Sequence, residues 1–304
     1  MKVIEQVLED FAERTPVRAG SLIISVFGDS ISQHGNVVWL GSLIESLTPF
    51  GLNGRQIRTA VFRLIKEGWL FSDQSGRKSF YSLTEFGIRH YEKAARRIYA
   101  GKLEEWDGKW TVVIPAFVES DKKEELKKEL LWLGYGMIAP GVLARPSADR
   151  QSLDETLLEM DITRQVIVMI SSTEDIASHS SMQELAYSSW KLDDIAARYE
   201  RFLKSFRPVN AAINKGSRPE PQQAFILRTL LIHEYRRILL SDADLPGELL
   251  PANWPGHAAS DITASIYRAV HNEAMEYIGS HMENMDGSLP GARPKYYERF
   301  GGLN

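Results

Sequence analysis

The run NGRQIRTAVFRLIKEGWL, residues 53–70, limits the fold more than any other stretch of the chain, because both its ends are marked and its interior keeps one period. Asn53 is a residue type that caps helices and Gly68 one that stops them. Between them, at about 100° per residue, Ile57, Ala60, Val61, Leu64 and Ile65 share one face. Arg55, Thr59, Phe62, Arg63 and Lys66 fall on the other, with Arg58 at the border. The next segment, FSDQSGRKSFYSLT, sets β-forming residues 71–72 and 78–83 on either side of Asp73-Gln74-Ser75-Gly76. That pattern predicts a hairpin carrying Arg77 and Lys78 at its tip.

The residues before this run are also helical in pattern. Residues 19–31 are apolar at helical spacing, a short β-like VVWL follows, and residues 41–49 form a second short helix ended by Pro49 and Gly51. Thr84 caps a long helix reaching about residue 99. Helix, helix, helix and basic hairpin is the order of a winged helix-turn-helix. The periodicity alone also fits a solvated polar face on an ordinary helix. Charge distribution decides between the two. The chain carries −4 overall, yet residues 51–100 hold ten Lys/Arg against four Asp/Glu, a local +6 that leaves −10 on the other 254 residues. A basic module on an acidic body suits DNA binding. Arginine's forked donors fit guanine edges and phosphates. Phe62, on the polar face, has two readings: packing on the preceding helix or contact with a thymine methyl.

After a polar linker, GKLEEWDGK (101–109), the pattern changes. WTVVIPAF reads as a strand, DKKEELKKELLWLG as a helix, MIAPGVLARP as a strand or strand pair, LDETLLEM as a helix and RQVIVMISST as a strand. This alternation predicts a small ferredoxin-like α/β sandwich. From Ser180 the chain is helical: residues 181–206, 221–240 and about 260–280. Three prolines and Trp254 mark the loop between the last two. The last twenty residues read as a mobile tail or an extended arm. The fold expected is therefore α+β, with a winged helix-turn-helix at 1–100, a ferredoxin-like middle domain at 110–175, a helical C-terminal domain at 180–282 and a tail at 283–304.

Several chemistries find no support. The chain has no cysteine, which excludes disulfides, thiol nucleophiles and cysteine-ligated metals. His233-Glu234 lacks the second histidine of a zincin, and no P-loop or GxSxG is present. Gly28-Asp29-Ser30 is no nucleophile elbow. The acidic pairs Asp193-Asp194 and Asp242/Asp244 read as solvated helix faces or ends. Trp190 and Tyr199 read as core. No secretory address and no apolar run of membrane-spanning length is visible, so a soluble, cytoplasmic protein without metal or cofactor is expected.

The residues GDSIS, WLGSLIESL, RTAVFRLIKEGWL and GRKSFYSLT resemble the N-terminal domain of the PaaX family of phenylacetate-catabolism repressors. The resemblance continues through WDGKW, LWLGYGMIAPGVLARP and LLIHEYRRILLSDADLPGELLPANWPG to RFGGLN, so it covers nearly the whole chain. It implies a non-enzymatic, homodimeric transcriptional repressor that binds operator DNA and is released by an aryl-CoA effector, phenylacetyl-CoA. On that analogy the helix carrying Arg55, Gln56, Arg58, Thr59 and Arg63 enters the major groove while Arg77 and Lys78 touch DNA beside it. The middle domain resembles a CRISPR-associated nuclease fold that uses an aspartate at the end of its first strand. Here that strand ends Ile114-Pro115-Ala116-Phe117, without one, which speaks against nuclease activity.

An acyl-CoA pocket needs cations beside aromatic walls. Arg228, His233, Arg236 and Arg237 recur along one helix with Trp254 in the next loop, and these are the expected effector-binding residues. Trp132, Tyr135 and Arg145 form a second set. For Arg228 the competing reading is a structural ion pair with Glu234 or an acidic loop residue, since a buried arginine must be paired. Two alternatives remain for the function: an acyl-CoA-processing enzyme with a vestigial DNA-binding domain, using His233, and an effector-independent DNA-binding protein.

Overall fold

The computed structural model describes residues 2–13, 18–99, 106–147, 150–172, 176–243 and 245–303. Residues 101–105 of the linker and Asp244 lie outside the described residues. Contacts gather the chain into two units: Met1–Lys102 with Arg201–Arg236 and Ala258–Asn304, and Leu103–Glu200 with Arg237–His257. These units divide the chain differently from the expected segments 1–100, 110–175 and 180–282. Most of the C-terminal helical segment packs with the N-terminal residues.

The first unit opens with helices α1 (Lys2–Glu13) and α2 (Ala19–Asp29), strand β1 (Val37–Trp39), and helices α3 (Leu40–Leu47) and α4 (Gly54–Lys66). Strands β2 (Leu70–Ser75) and β3 (Lys78–Leu83) and helix α5 (Glu85–Ile98) follow. The cap expected at Asn53 is a full capping box. Asn53 Oδ1 accepts from the Gln56 backbone N–H at 2.9 Å, and Gln56 Oε1 accepts from the Asn53 N–H at 2.9 Å. Thr84 caps α5 by accepting from the Gly87 N–H at 3.0 Å. The three strands form an antiparallel sheet in the order β1-β3-β2. Its hairpin is tighter than the expected turn at 73–76. Asp73, Gln74 and Ser75 pair with Phe80, Ser79 and Lys78, which leaves Gly76 and Arg77 as the two-residue turn. Gly76 supplies the positive φ, +58°, that such a turn needs at its first position.

The second unit contains β4 (Lys109–Ile114), α6 (Ser120–Trp132), β5 (Gly136–Ala139), β6 (Val142–Arg145), α7 (Gln151–Glu159), β7 (Ile167–Ser172) and α8 (Ile176–Ser189). Its sheet order, β5-β6-β4-β7 and antiparallel throughout, is that of the ferredoxin-like sandwich. Leu126 and Leu130 of α6 and Leu153 and Leu157 of α7 share one core with Val113, Leu143 and Tyr135.

Three long helices follow: α9 (Leu192–Asn214), α10 (Pro221–Leu239) and α11 (Pro255–His281). Helix α10 is buried continuously from Ala224 to His233, the state of a helix apolar on every side. The last residues are not a free tail. After the short pair β8 (Glu283–Asn284) and β9 (Gly287–Ser288), they turn back and bury Tyr296, Phe300 and Leu303 in the first unit.

Candidate nucleic-acid interface

Helix α4 divides as its periodicity predicts. Ile57, Val61 and Leu64 are buried, while Arg55, Gln56, Arg58, Thr59 and Arg63 are exposed. Gln56 spends its carbonyl oxygen on the capping box and keeps its amide N–H groups for other partners. The Thr59 hydroxyl donates to the Arg55 carbonyl at 2.9 Å, and Arg63 pairs with Glu67 at 2.7 Å. Arg55, Gln56, Thr59 and Arg63 line a groove of about 790 Å³ with Arg18 and Ser21. Phe62 does not pack on the preceding helix. The ring is 59% exposed, with the Lys66 ammonium 5.1 Å from its centroid.

At the hairpin tip the two cations differ. Arg77 is exposed. Lys78 donates to Glu283 at 2.7 Å and lies 4.2 Å from the centroid of the Trp39 ring. Its charge is thus partly answered within the protein, which the sequence pattern did not indicate.

Behind α4 lies a buried polar cluster that sequence reasoning missed. Asp29, the last residue of α2, faces Arg228 of α10 and Arg299 near the C-terminus. Arg228 Nε is 3.0 Å from Asp29 Oδ2, an ion pair without hydrogen-bond alignment. Arg299 Nη1 donates to Asp29 Oδ1 at 2.9 Å and to its backbone carbonyl at 3.0 Å. The Tyr99 and Tyr267 hydroxyls donate to Oδ1 at 2.6 and 2.9 Å. Arg228 also donates to the Tyr296 hydroxyl at 2.9 Å and Ser30 Oγ at 2.8 Å. Tyr99 lies under Arg299, ring centroid to Cζ 3.8 Å. Burial alone would raise the Asp29 carboxyl, but the two guanidiniums and the phenol donors outweigh it and hold the group below its ordinary range. Burial pushes Tyr91, whose hydroxyl is 2.9 Å from that of Tyr99, up to about 12. With the phenols neutral, the three buried charges sum to +1.

The expected effector residues have the following surroundings. Arg228 is fully buried in the Asp29 cluster, which realises the structural ion pair, with Asp29 of α2 in place of Glu234 or a loop acid. His233 is buried, its Nδ1 2.9 Å from Ser25 Oγ and its ring edge-on to Phe11. A base so enclosed does not serve the acyl-CoA-processing alternative, which depended on it. Arg236 donates to Ser21 Oγ at 3.1 Å and borders the groove beside α4. Arg237 and Trp254 belong to the second unit. Arg237 is exposed there, and Trp254 is buried edge-on against Tyr199, whose hydroxyl donates to Asp242 at 2.6 Å. Trp190 is core as expected, its indole N–H donating to the Gly134 carbonyl at 3.1 Å. In the second set, Tyr135 is core with Trp132 packed against it. Among the described residues no helix is long and apolar enough to cross a membrane.

Three family models match in sequence order: PaaX-like protein over residues 18–87, PaaX protein central Cas2-like domain over 103–183, and PaaX-like protein C-terminal domain over 190–280. The transcriptional repressor PaaX of Escherichia coli strain K12 is 37% identical over 305 residues, covering 100% of this chain and 96% of that protein. The chain belongs to the PaaX family. The match to the first model takes in α2 to the start of α5 with both strands of the hairpin, so the family's N-terminal module is the one that carries the basic face. Among solved structures, uncharacterized protein Rv0674 from Mycobacterium tuberculosis is similar at 21% identity and a TM-score of 0.48, over 82% of this chain and 96% of that one.

Proposed function

We infer that this chain is a transcriptional repressor of an aromatic-acid catabolic operon, in keeping with the phenylacetate resemblance. It binds operator DNA as a homodimer in the cytoplasm and is released by an aryl-acyl-CoA such as phenylacetyl-CoA. The observation that carries the DNA reading is the exposed face of α4 in a PaaX-family chain: Arg55, Arg58, Thr59 and Arg63 outward, Ile57, Val61 and Leu64 inward, with Arg77 at the adjoining turn. Outward arginines on a helix of this size suit base edges in the major groove, and a turn arginine suits the backbone beside it. Release is a linkage effect. The effector binds more tightly to the arrangement that cannot hold DNA, and lowers operator affinity by that difference.

The test is fluorescence anisotropy with promoter DNA of the proposed aromatic-acid catabolic operon, for the full chain and its Arg55→Ala and Arg58→Ala variants. Each substitution is expected to cost about 1–3 kcal/mol if the arginine reads a base, and to relax sequence preference. Unchanged affinity and preference in both variants would remove α4 as the reading head.

A further inference from the structure

Arg228 is committed to the Asp29 cluster, but a different part of the first unit has the features an acyl-CoA site requires. A cavity of about 320 Å³ lies between α5, the residues after α2 and the C-terminal turns. Its volume is at the lower end of the roughly 300–1,000 Å³ of small-molecule sites. Leu83, Ile88 and Ala95 supply apolar wall, and the buried phenols of Tyr91 and Tyr99 supply flat aromatic surface. On the solvent side are Arg96, Arg293 and Lys295, all exposed and without an ion pair among the described residues. Among the described residues Glu92 and Glu298 are the only acids in the lining, so with Arg299 the described lining carries +2.

Arg299 makes the positive sign more than a surface property. It lines the cavity and belongs to the Asp29 cluster, where two guanidiniums face one carboxylate. An unbalanced cation in a low-dielectric wall projects its field into the adjoining space. Anions are drawn there, and a flat apolar group finds a dry surface to cover.

We propose that this cavity is the effector site: it takes an amphiphilic organic anion of the aryl-acyl-CoA class, with the aryl end against Leu83, Ile88 and Ala95 and the phosphates on Arg96, Arg293 and Lys295. The proposal rests on the effector reading above and gives it a location. The site also has a physical connection to the reading head. Tyr99 and Arg299 touch the cavity and hold Asp29 at the end of α2. Helix α2 packs directly on α4. A ligand that moves either side chain therefore acts on the helix that supports the DNA-reading face.

The experiment uses the full chain and phenylacetyl-CoA, with free coenzyme A as a second probe. Calorimetric titration gives ligand affinity, and operator anisotropy with and without ligand gives release. Ala95→Trp fills the cavity and should abolish phenylacetyl-CoA binding and any effect of the ligand on operator affinity. Arg96→Glu with Arg293→Glu leaves the cavity open and should weaken phenylacetyl-CoA by about tenfold or more, since charge-assisted contacts are lost. Free coenzyme A should bind more weakly than the thioester because it lacks the aryl group. If wild type responds to phenylacetyl-CoA and both variants respond equally well, the effector reading stands and this location is overturned. If wild type neither binds phenylacetyl-CoA nor releases operator with it, the effector reading falls and the site assignment with it.

Discussion

Replacing Asp29 with Asn tests the buried cluster with almost no change of shape. The side chain is fully enclosed and, among the described residues, is the sole carboxylate facing Arg228 and Arg299. The amide keeps an acceptor for Tyr99 and Tyr267, but it removes the negative charge and leaves two buried guanidiniums without a counter-charge. If the amide nitrogen takes the Oδ2 position, a donor also faces Arg228 Nε. Removing one partner of a buried ion pair costs about 3–5 kcal/mol, a large part of the roughly 5–15 kcal/mol that holds a typical protein folded. With an m-value on the order of 2–3 kcal/mol/M, the urea midpoint should fall by about 1–2 M. Arg228→Met supplies the comparison. It leaves Asp29 balanced by Arg299 and strands only the hydroxyls of Ser30 and Tyr296, which can turn to other partners. It should cost less than Asp29→Asn, and the double variant should recover part of the Asp29→Asn loss. Urea denaturation followed by circular dichroism and tryptophan fluorescence reads all three. The electrostatic account is refuted if Asp29→Asn lies within about 1 kcal/mol of wild type, a scale typical of surface substitutions, or if Arg228→Met is the costlier single change.

Two further expectations concern the same unit. A Cβ at Gly28 would stand 1.8 Å from the Tyr91 ring. Although alanine is favoured over glycine in a helix by about 1 kcal/mol, Gly28→Ala should therefore destabilise by about 1–3 kcal/mol through overpacking, and a raised melting temperature would contradict this. His34 and His271 are both held below the ordinary histidine range, chiefly by burial. A lowered folded-state pKa means the unfolded chain takes up protons first. Stability should accordingly be complete above about pH 6.5, the unfolded histidine value, and should be lost as pH falls through the folded values. Asp29, lowered as well, adds its own loss only below the usual carboxylate range. Melting temperatures across pH 5–8 check this sign, and His34→Gln should flatten part of the slope.

The local units were legible because their signals are local. The helix at α4 was set by a cap, a stop and one period, and the ferredoxin-like unit by strands and helices whose lengths and order allow few other arrangements. The turn at Gly76–Arg77 was misplaced by two residues because Asp73 and Ser75 have turn character and only pairing with β3 reveals them as strand. The Asp29 cluster was half visible. Arg228 interrupts the apolar run AFILRTLLI and demanded a partner, while Asp29 sits just after LIISVF and carried the same demand. What could not be read was that these two demands answer each other across 199 positions, with a third charge from the terminal segment. That segment was read as loose because its Gly, Pro and charge content hides Tyr296, Arg299, Phe300 and Leu303, whose burial depends on α11 returning to the first unit.

Lys78 is where geometry changes the expected behaviour of the hairpin most. A lysine at the tip would ordinarily add one phosphate contact, and its loss would lower the slope of log affinity against log salt by about 0.9. Here its ammonium is held by Glu283 at 2.7 Å, with both side chains about half exposed, 47% and 46%. An ion pair of that exposure contributes little to stability, yet it sets a carboxylate where a phosphate would approach. Lys78→Ala in the native background should therefore move the salt slope much less than Arg77→Ala, which should lower it by about 0.9. Glu283→Gln should free the ammonium, tighten binding to non-specific duplex DNA and steepen the slope by a similar amount. Lys78→Ala should then cancel that gain in the double variant. Equal slopes for Glu283→Gln and wild type across 50–200 mM salt would show that Glu283 does not restrain the hairpin, and the two tip cations would then have to be treated as equivalent.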